Sequence, residues 1–448
     1  MDLYDLSQLP KRTSNMKARV ATVVGLCSLA SAKTQLASKC AAILPSSTTV
    51  ACVNKWAAVM PEPFSRFIAD SFENVANDSF HLTSVPSDPS FNLVRNANFI
   101  VFDEKRGLDI LGSNPTYEDV LETIPFTHEA PVYVPSLNSI VYSVLGSDFS
   151  FQQLLNLTDT PPSIRNFTTD PPLLAVNGGR YFDGSIYWSV IGGIPFPNPL
   201  NESETLLQSP GIVRVDPHTM KAEFLLNNYF GSPLNSPDDL VVSRKTGDIF
   251  FADPWYGYGL NFSTILPPSA PMTYRFRPST GQTFVVDDTI QQPNGIALSP
   301  DESILYVTDS GLADFDKAPT DGSLPRFGFN RRGGRNVYAF DTRLTPAGYE
   351  LINRRPIYLA DEYIDDGFHA TALQDPSDNM SYYLIGAAGN GVDIISPYGE
   401  LLVRITADIL VNNIQFSGRK EDGTNDLWLF GVGSIAKVTL NLKAMNEE

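Results

Sequence analysis

A chain of 448 residues, 42% hydrophobic and only 18% charged, has enough apolar side chain to bury a large core in one or several domains. Its formal net charge of −18 is ordinary for a soluble protein, but it repels phosphate backbones and anionic membranes and so argues against a nucleic-acid or membrane partner. The three cysteines, Cys27, Cys40 and Cys52, form no Cys-x-x-Cys pair and no Cys/His cluster, which excludes a zinc finger or a thiolate metal site.

In chain order, the first pattern begins at Met16. "MKARVATVVGLCSLASAK" holds two basic residues, an apolar run too short to span a bilayer, and the small triplet Ala30-Ser31-Ala32. Residues 1–32 are therefore expected to be a secretory signal, with Met1 or Met16 as the start. Cleavage after Ala32 removes Cys27 and leaves Cys40 and Cys52, expected to pair as one disulfide in an oxidising compartment. Six Asn-x-Ser/Thr sequons agree with export as a glycoprotein: Asn77, Asn156, Asn166, Asn201, Asn261 and Asn379. Residues 33–90 carry little pattern and read as an N-terminal extension, partly helical around "PFSRFIADSFENVAN".

From residue 91 to 448 helical periodicity is nearly absent. Short alternating runs of Val, Ile, Tyr and Phe, punctuated by Gly, Pro, Asn and Asp, give an all-β signature. One unit recurs: a small polar residue, a strand, a turn and a second strand. It appears in "HEAPVYVPSLNSIVYSV" from His128, "VNGGRYFDGSIYWSV" from Val176 and "SPDDLVVSRKTGDIFFADP" from Ser236. It returns in "QQPNGIALSPDESILYVTDSG" from Gln291, "DDGFHATALQDPSDNMSYYLIGAA" from Asp365 and "NNIQFSGRKEDGTNDLWLFGVG" from Asn412. Alignment sets Glu129, Asn177, Asp238, Asn294, Asp366 and Asn413 at one point of the unit. The spacing suits four-stranded blades of roughly 40–50 residues with insertions, and so predicts a six-bladed β-propeller. A pair of β-sandwiches or a parallel β-helix is the alternative, but sandwiches rarely repeat a polar strand start six times, and β-helix coils are much shorter. "NFIVFDEKRGLDILG", from Asn98, is expected to add an outer strand to the last blade and close the ring.

In a propeller the innermost strands run along the axis, so equivalent residues at their starts converge at one mouth of the channel. Each Asn or Asp taken singly reads as a turn former. Six in register, Glu129 among them, read as an oxygen-rich site for a hard cation, calcium before zinc. Asn412 lies just outside this register and is expected to be silent.

"HEAPVYVP", "SPDDLVV…GDIFFADPWYG", "QPNGIALSPDESILYVTDSG" and "DGFHATA…GNGVDIISPYGELL" together resemble the gluconolactonase and senescence-marker-protein (regucalcin-like) family, nearest to its secreted fungal lactonohydrolases. The resemblance covers about residues 98–443. It implies calcium ligands at Glu129, Asp238, Asn294 and Asp366, with Asn177 left for substrate or water. The family pattern Pro-Asn-Asp reads Pro237-Asp238-Asp239 here, which adds a carboxylate and puts Asp239 among the substrate-side candidates. Trp255 and Tyr256 either wall the mouth or pack within a blade.

A calcium with open positions polarises a lactone carbonyl, and Asp366 is the first candidate for the base that activates water, or for a direct nucleophile. His128 and His369 are the other candidates, although strand alternation would turn both from the axis. No Gly-x-Ser-x-Gly elbow supports a serine hydrolase. The expected function is calcium-dependent opening of a small polar, sugar-derived or similar lactone. A phosphotriesterase or fluorophosphatase-like hydrolase at the same metal, or a binding propeller with structural calcium, stands as the alternative. The oligomeric state is open.

Overall fold

The computed structural model describes residues 37–445 apart from 41–43, 45–47, 54–57, 78, 125–126, 147–148, 194, 199–200 and 362–364. The signal expected over 1–32 lies outside the described residues. Strands dominate, as the alternating runs predict, and the longest described helix is Glu104–Leu111. No helix among the described residues is long and apolar enough to cross a membrane.

Four antiparallel four-stranded sheets follow one another along the chain. Their first strands are β1 (Thr127–Val134), β2 (Val176–Phe182), β3 (Leu240–Val242) and β4 (Pro293–Leu298). Among the described residues a nine-stranded sheet and three two-stranded ribbons hold the remaining strands. In the nine-stranded sheet β5 (Asp365–Ala370) pairs with Leu384–Ile395, which pairs with the long β6 (Leu401–Arg419). The second half of β6 pairs with Asn425–Gly431, then Ser434–Thr439, and Thr116–Glu122 completes that edge. The strands β1 to β6 touch in cyclic order, β6 returning to β1. A strand from ahead of the first sheet thus pairs with the last strand of the chain, which ties the ring shut.

The closing strand differs from expectation. Phe99–Val101 pairs with Val403–Ile405 in the first half of β6, and Thr116–Glu122 takes the place beside Ser434–Thr439. The Asn98 segment turns into the helix Glu104–Leu111, capped by the Asp103 carboxylate, before the chain reaches that edge.

Each sheet buries both faces because it is wedged between two others. Leu305 and Val307 pack with Phe250 of the preceding sheet, while Tyr306, one residue out of phase, packs with Phe368 of the next. The last interface joins Trp428 and Phe430 to Ile140 and Tyr142 of the first sheet. Strands buried on both sides need near-continuous apolar runs, and "ILYV" is one.

Residues Ala37–Lys39 and Val50–Val53 extend the large sheet beyond Phe99–Val101, with Val50–Val53 parallel to it. Cys40 and Cys52 form the expected disulfide, with Cα atoms 6.1 Å apart. "PFSRFIADSFENVAN" forms only a 3-10 helix over Phe72–Asn77. Phe64, Phe67 and Ile68, which would have been the apolar face of a longer helix, stay exposed, so no burial supports one. Among the sequons, Asn166 and Asn379 are exposed, and Asn156 and Asn261 are half-buried. Asn261 Oδ1 accepts from Arg326 at 2.7 Å. The side chains of Asn77 and Asn201 lie outside the described residues.

Candidate metal and catalytic centre

Five of the six polar residues sit at β-bulges, and Asn413 directly follows one. Val176 faces Val190 and Gly178 faces Ser189, leaving Asn177 as the extra residue of β2. Register shifts of the same kind bracket Asn294 and Gly295 in β4, Asp366 and Gly367 in β5, and Asn412 in β6. In β1 the shifts flank Glu129 on both sides. Ahead of β3, Asp238 N–H donates to the Ala252 carbonyl while Ala252 N–H donates to the Asp239 carbonyl, so two residues share one partner. A bulge breaks strand alternation and re-aims the side chain at the strand start. Parity counted from sequence therefore fails here.

Small residues after the polar ones let neighbouring strands close in. A Cβ on Gly178 would lie 2.6 Å from the Asp238 carbonyl oxygen, and one on Gly295 would lie 2.2 Å from that of Asp366. A Cβ on Gly367 would meet Asn413 Oδ1 at 2.2 Å. Asn413 Nδ2 reaches Glu129 Oε2 at 3.4 Å, and Asn412 Nδ2 reaches Asp366 Oδ2 at 3.4 Å. The polar residues of adjacent strands are thus neighbours at one end of the ring.

The electrostatics are those of a site with excess negative charge. Glu129, Asp238 and Asp239 are buried, while Asp366 is half-buried. Burial, then the charge of Asp239, pushes the Glu129 carboxyl well above the usual carboxylate range, with Asn413 N–H opposing. Asp238 is pushed well up by burial and then by Asp366, Glu129 and Asp239. Burial lifts Asp239 to about 6, against the pull of Arg180, whose Nη2 stands 4.0 Å from Oδ2.

No metal is part of the structure, so the fit is tested on the donors. Asn294 is 2% exposed, and its Nδ2 donates to Ser310 Oγ at 3.1 Å. Its Oδ1 is buried with no hydrogen-bond partner. A buried acceptor without a donor is costly, and a divalent cation satisfies it together with the surplus carboxylate charge. Among the described residues no three His, Cys, Asp or Glu side chains gather as a ready-made metal cluster. The candidate donors, Glu129, Asp238 and Asp366 with the Asn294 amide oxygen, are all oxygen, the chemistry that a hard cation takes.

The other expected site residues separate. The His128 side chain lies outside the described residues. His369 is buried and lines a cavity with Arg180, further along the axis than Asp366. Parity would have turned it away, but the bulge between Asp365 and Phe368 cancels that count. Trp255 ties its ring N–H to the Ser269 carbonyl at 2.7 Å and meets Phe315 edge-on. Tyr256 packs on Phe327 and donates to the Ser310 carbonyl at 3.3 Å. Both take part in aromatic packing, and Tyr256 is linked to the Asn294 side chain through Ser310.

Two residues escaped the sequence reading. Asn412, expected to be silent, contacts Asp366 because β6 bulges at this residue. Arg180 donates to the carbonyls of Gly179 at 2.9 Å, Ile296 at 3.3 Å and Phe368 at 2.7 Å, tying β2, β4 and β5 together. A lone basic residue inside "VNGGRYF" was the available signal.

Comparison with known proteins gives concordant findings. The family described as the SMP-30/Gluconolactonase/LRE-like region matches residues 202–327. Lactonohydrolase oryL of Aspergillus oryzae is 35% identical over 412 residues, 92% of this chain and 89% of that protein. Among solved structures, a gluconolactonase of Xanthomonas campestris aligns with a TM-score of 0.56 at 22% identity, covering 75% of this chain and 92% of that one. The calcium-binding protein regucalcin of Agrobacterium tumefaciens aligns at 0.50 and 12% identity, covering 74% and 95%. At these identities the structural likeness speaks for the fold alone, of the propeller type.

Proposed function

The chain belongs to the SMP-30/gluconolactonase/LRE-like family, and from that premise we propose that it is a calcium-dependent lactonase acting on a small polar, sugar-derived or similar lactone. We read the cyclic contacts of β1 to β6 as a six-bladed propeller with an N-terminal extension. Residues 1–32 are read as a signal that exports a glycosylated chain. The observation that carries the metal reading is the pairing of surplus buried carboxylate with the unpartnered Asn294 Oδ1.

Glu129, Asp238, Asn294 and Asp366 would hold calcium, the hard cation that an all-oxygen donor set suits. When bound, calcium supplies Lewis-acid polarisation of the lactone carbonyl. Asp366 takes the proton from the attacking water as its oxygen bonds to the carbonyl carbon. The ring C–O bond then breaks, and the ring oxygen leaves as a hydroxyl after receiving that proton. Asn412 orients the Asp366 carboxylate through Oδ2. Arg180 anchors Asp239 beneath the ring and adds a fixed positive charge where carboxylates crowd.

The test is turnover of aldonolactones, pantolactone, aromatic lactones and phosphotriesters with and without chelator. Chelator-sensitive opening of the polar lactones is expected. Preference for phosphotriesters would replace this reading with the phosphotriesterase one, and no turnover of any of them would leave a binding propeller.

A further inference from the structure

The channel has a second end. Tyr181, Val242, Leu298, His369 and Phe416 lie three or four residues beyond the polar residues of their strands, or about 10–13 Å along the axis at roughly 3.3 Å per residue. There they line a cavity of about 70 Å³, with the Arg180 guanidinium, bound to three carbonyls, among its walls. Arg244 is the second cation of the lining. A wider basin of about 350 Å³ shares Arg244, Ala444 and Met445 with it and adds Arg419 and Lys443. Among the described residues no acidic side chain lines either space, in a chain that carries 50 acids against 32 bases.

Three features define what fits. Planar guanidinium groups match a carboxylate. Val242, Leu298 and Phe416 favour an organic anion over an inorganic one. The third is His369, 6% exposed, whose Nε2 is buried with no hydrogen-bond partner. Burial and then Arg180 hold this imidazole well below its usual range, and a backbone hydrogen bond to Ile414 occupies the ring's other side. A neutral ring that donates to a carbonyl through Nδ1 presents a lone pair at Nε2. That lone pair calls for a hydroxyl donor.

We propose that this cavity is a second binding site, which takes a small hydroxycarboxylate with its carboxylate toward Arg180 and Arg244 and its hydroxyl donating to His369 Nε2. Lactone opening makes products of this class, and that link alone rests on the lactonase reading.

The test is calorimetric titration of the full chain with 3-hydroxybutyrate in excess chelator, where turnover plays no part. One ligand per chain is expected. Butyrate, which lacks the hydroxyl, should bind roughly tenfold more weakly, the equivalent of one neutral hydrogen bond. Arg244→Gln should weaken binding by at least about tenfold, as loss of a charge-assisted contact does, and Leu298→Trp should abolish it by filling the space. Glu129→Gln, at the other end, should leave the binding of 3-hydroxybutyrate in chelator intact. His369→Phe should erase the preference for 3-hydroxybutyrate over butyrate. If that core variant does not fold, the butyrate comparison in the natural chain decides the same point. No heat of binding, equal binding of butyrate, indifference to Arg244→Gln, or loss with Glu129→Gln would each overturn the proposal. A silent titration leaves the lactonase reading standing, and an absence of lactone hydrolysis leaves the titration valid.

Discussion

Replacing Asp239 by Asn in chelated protein probes the strain of the acidic ring with little change of shape. Burial raises this carboxyl from 3.8 to about 6 even with Arg180 opposing. A carboxyl whose folded value exceeds its unfolded one costs stability once ionised. The cost is absent below about pH 4, grows from there to about pH 6, and is constant above. Some two pH units at about 1.4 kcal/mol each give about 3 kcal/mol at pH 8. Arg180 keeps its three carbonyl partners in the variant, so no buried charge is left without hydrogen bonds. Denaturant unfolding in chelator should therefore find Asp239→Asn more stable than the natural chain at pH 8, with the gap closing at pH 4. Restored calcium should narrow the gap, because the cation offsets the carboxylate charge. An Asp239→Asn chain that is less stable at pH 8 than the natural one, or a gap that does not depend on pH, would refute the reasoning.

Asp238→Asn should need more calcium yet stay active at saturation, whereas Asp366→Asn should lose turnover at any calcium level. Equal rescue of both in calcium–activity titrations would remove Asp366 as the base. Asn412→Ala removes the Asn412 hydrogen bond to the Asp366 carboxylate and should lower kcat by roughly 3- to 10-fold, on the order of one hydrogen bond, with KM little changed; steady-state kinetics equal to the natural chain's would leave Asn412 without a role. Protein from a secreting host should begin near Lys33 by mass spectrometry and lose mass on deglycosylation. Recovery with Met1 intact and no glycan contradicts export.

The repeated unit made the fold legible, because a polar strand start followed by "ILYV"-type runs is what sheets buried on both faces require. The places of Glu129, Asn177, Asp238, Asn294 and Asp366 follow from the same repeat, because equivalent positions of equivalent strands come together, whereas in β6 that place belongs to Asn412, one residue before Asn413. What the sequence hid follows from the bulges. An extra residue in each inner strand is invisible in a period-two count, and such a count leaves Asn412 outside the register and turns His369 from the axis. Arg180 was hidden because its partners come from β2, β4 and β5 and from Asp239 just ahead of β3, which only the closed ring brings together. The double duty of β6 was likewise unreadable, since one unbroken strand, Leu401–Arg419, pairs in its two halves with different neighbours.

The central claim is that the acidic ring holds calcium through Asn294 and that this calcium is needed for lactone opening. Its most direct test is calcium binding to the chelator-stripped natural chain and to Asn294→Ala, followed by calorimetry, with lactone turnover measured on the same samples. One calcium per chain in the natural protein, weaker binding and near-abolished turnover in Asn294→Ala, and an unchanged unfolding midpoint without calcium are the predicted results. Full activity of Asn294→Ala at limiting calcium, or a stripped natural chain that opens lactones at its usual rate, would contradict it.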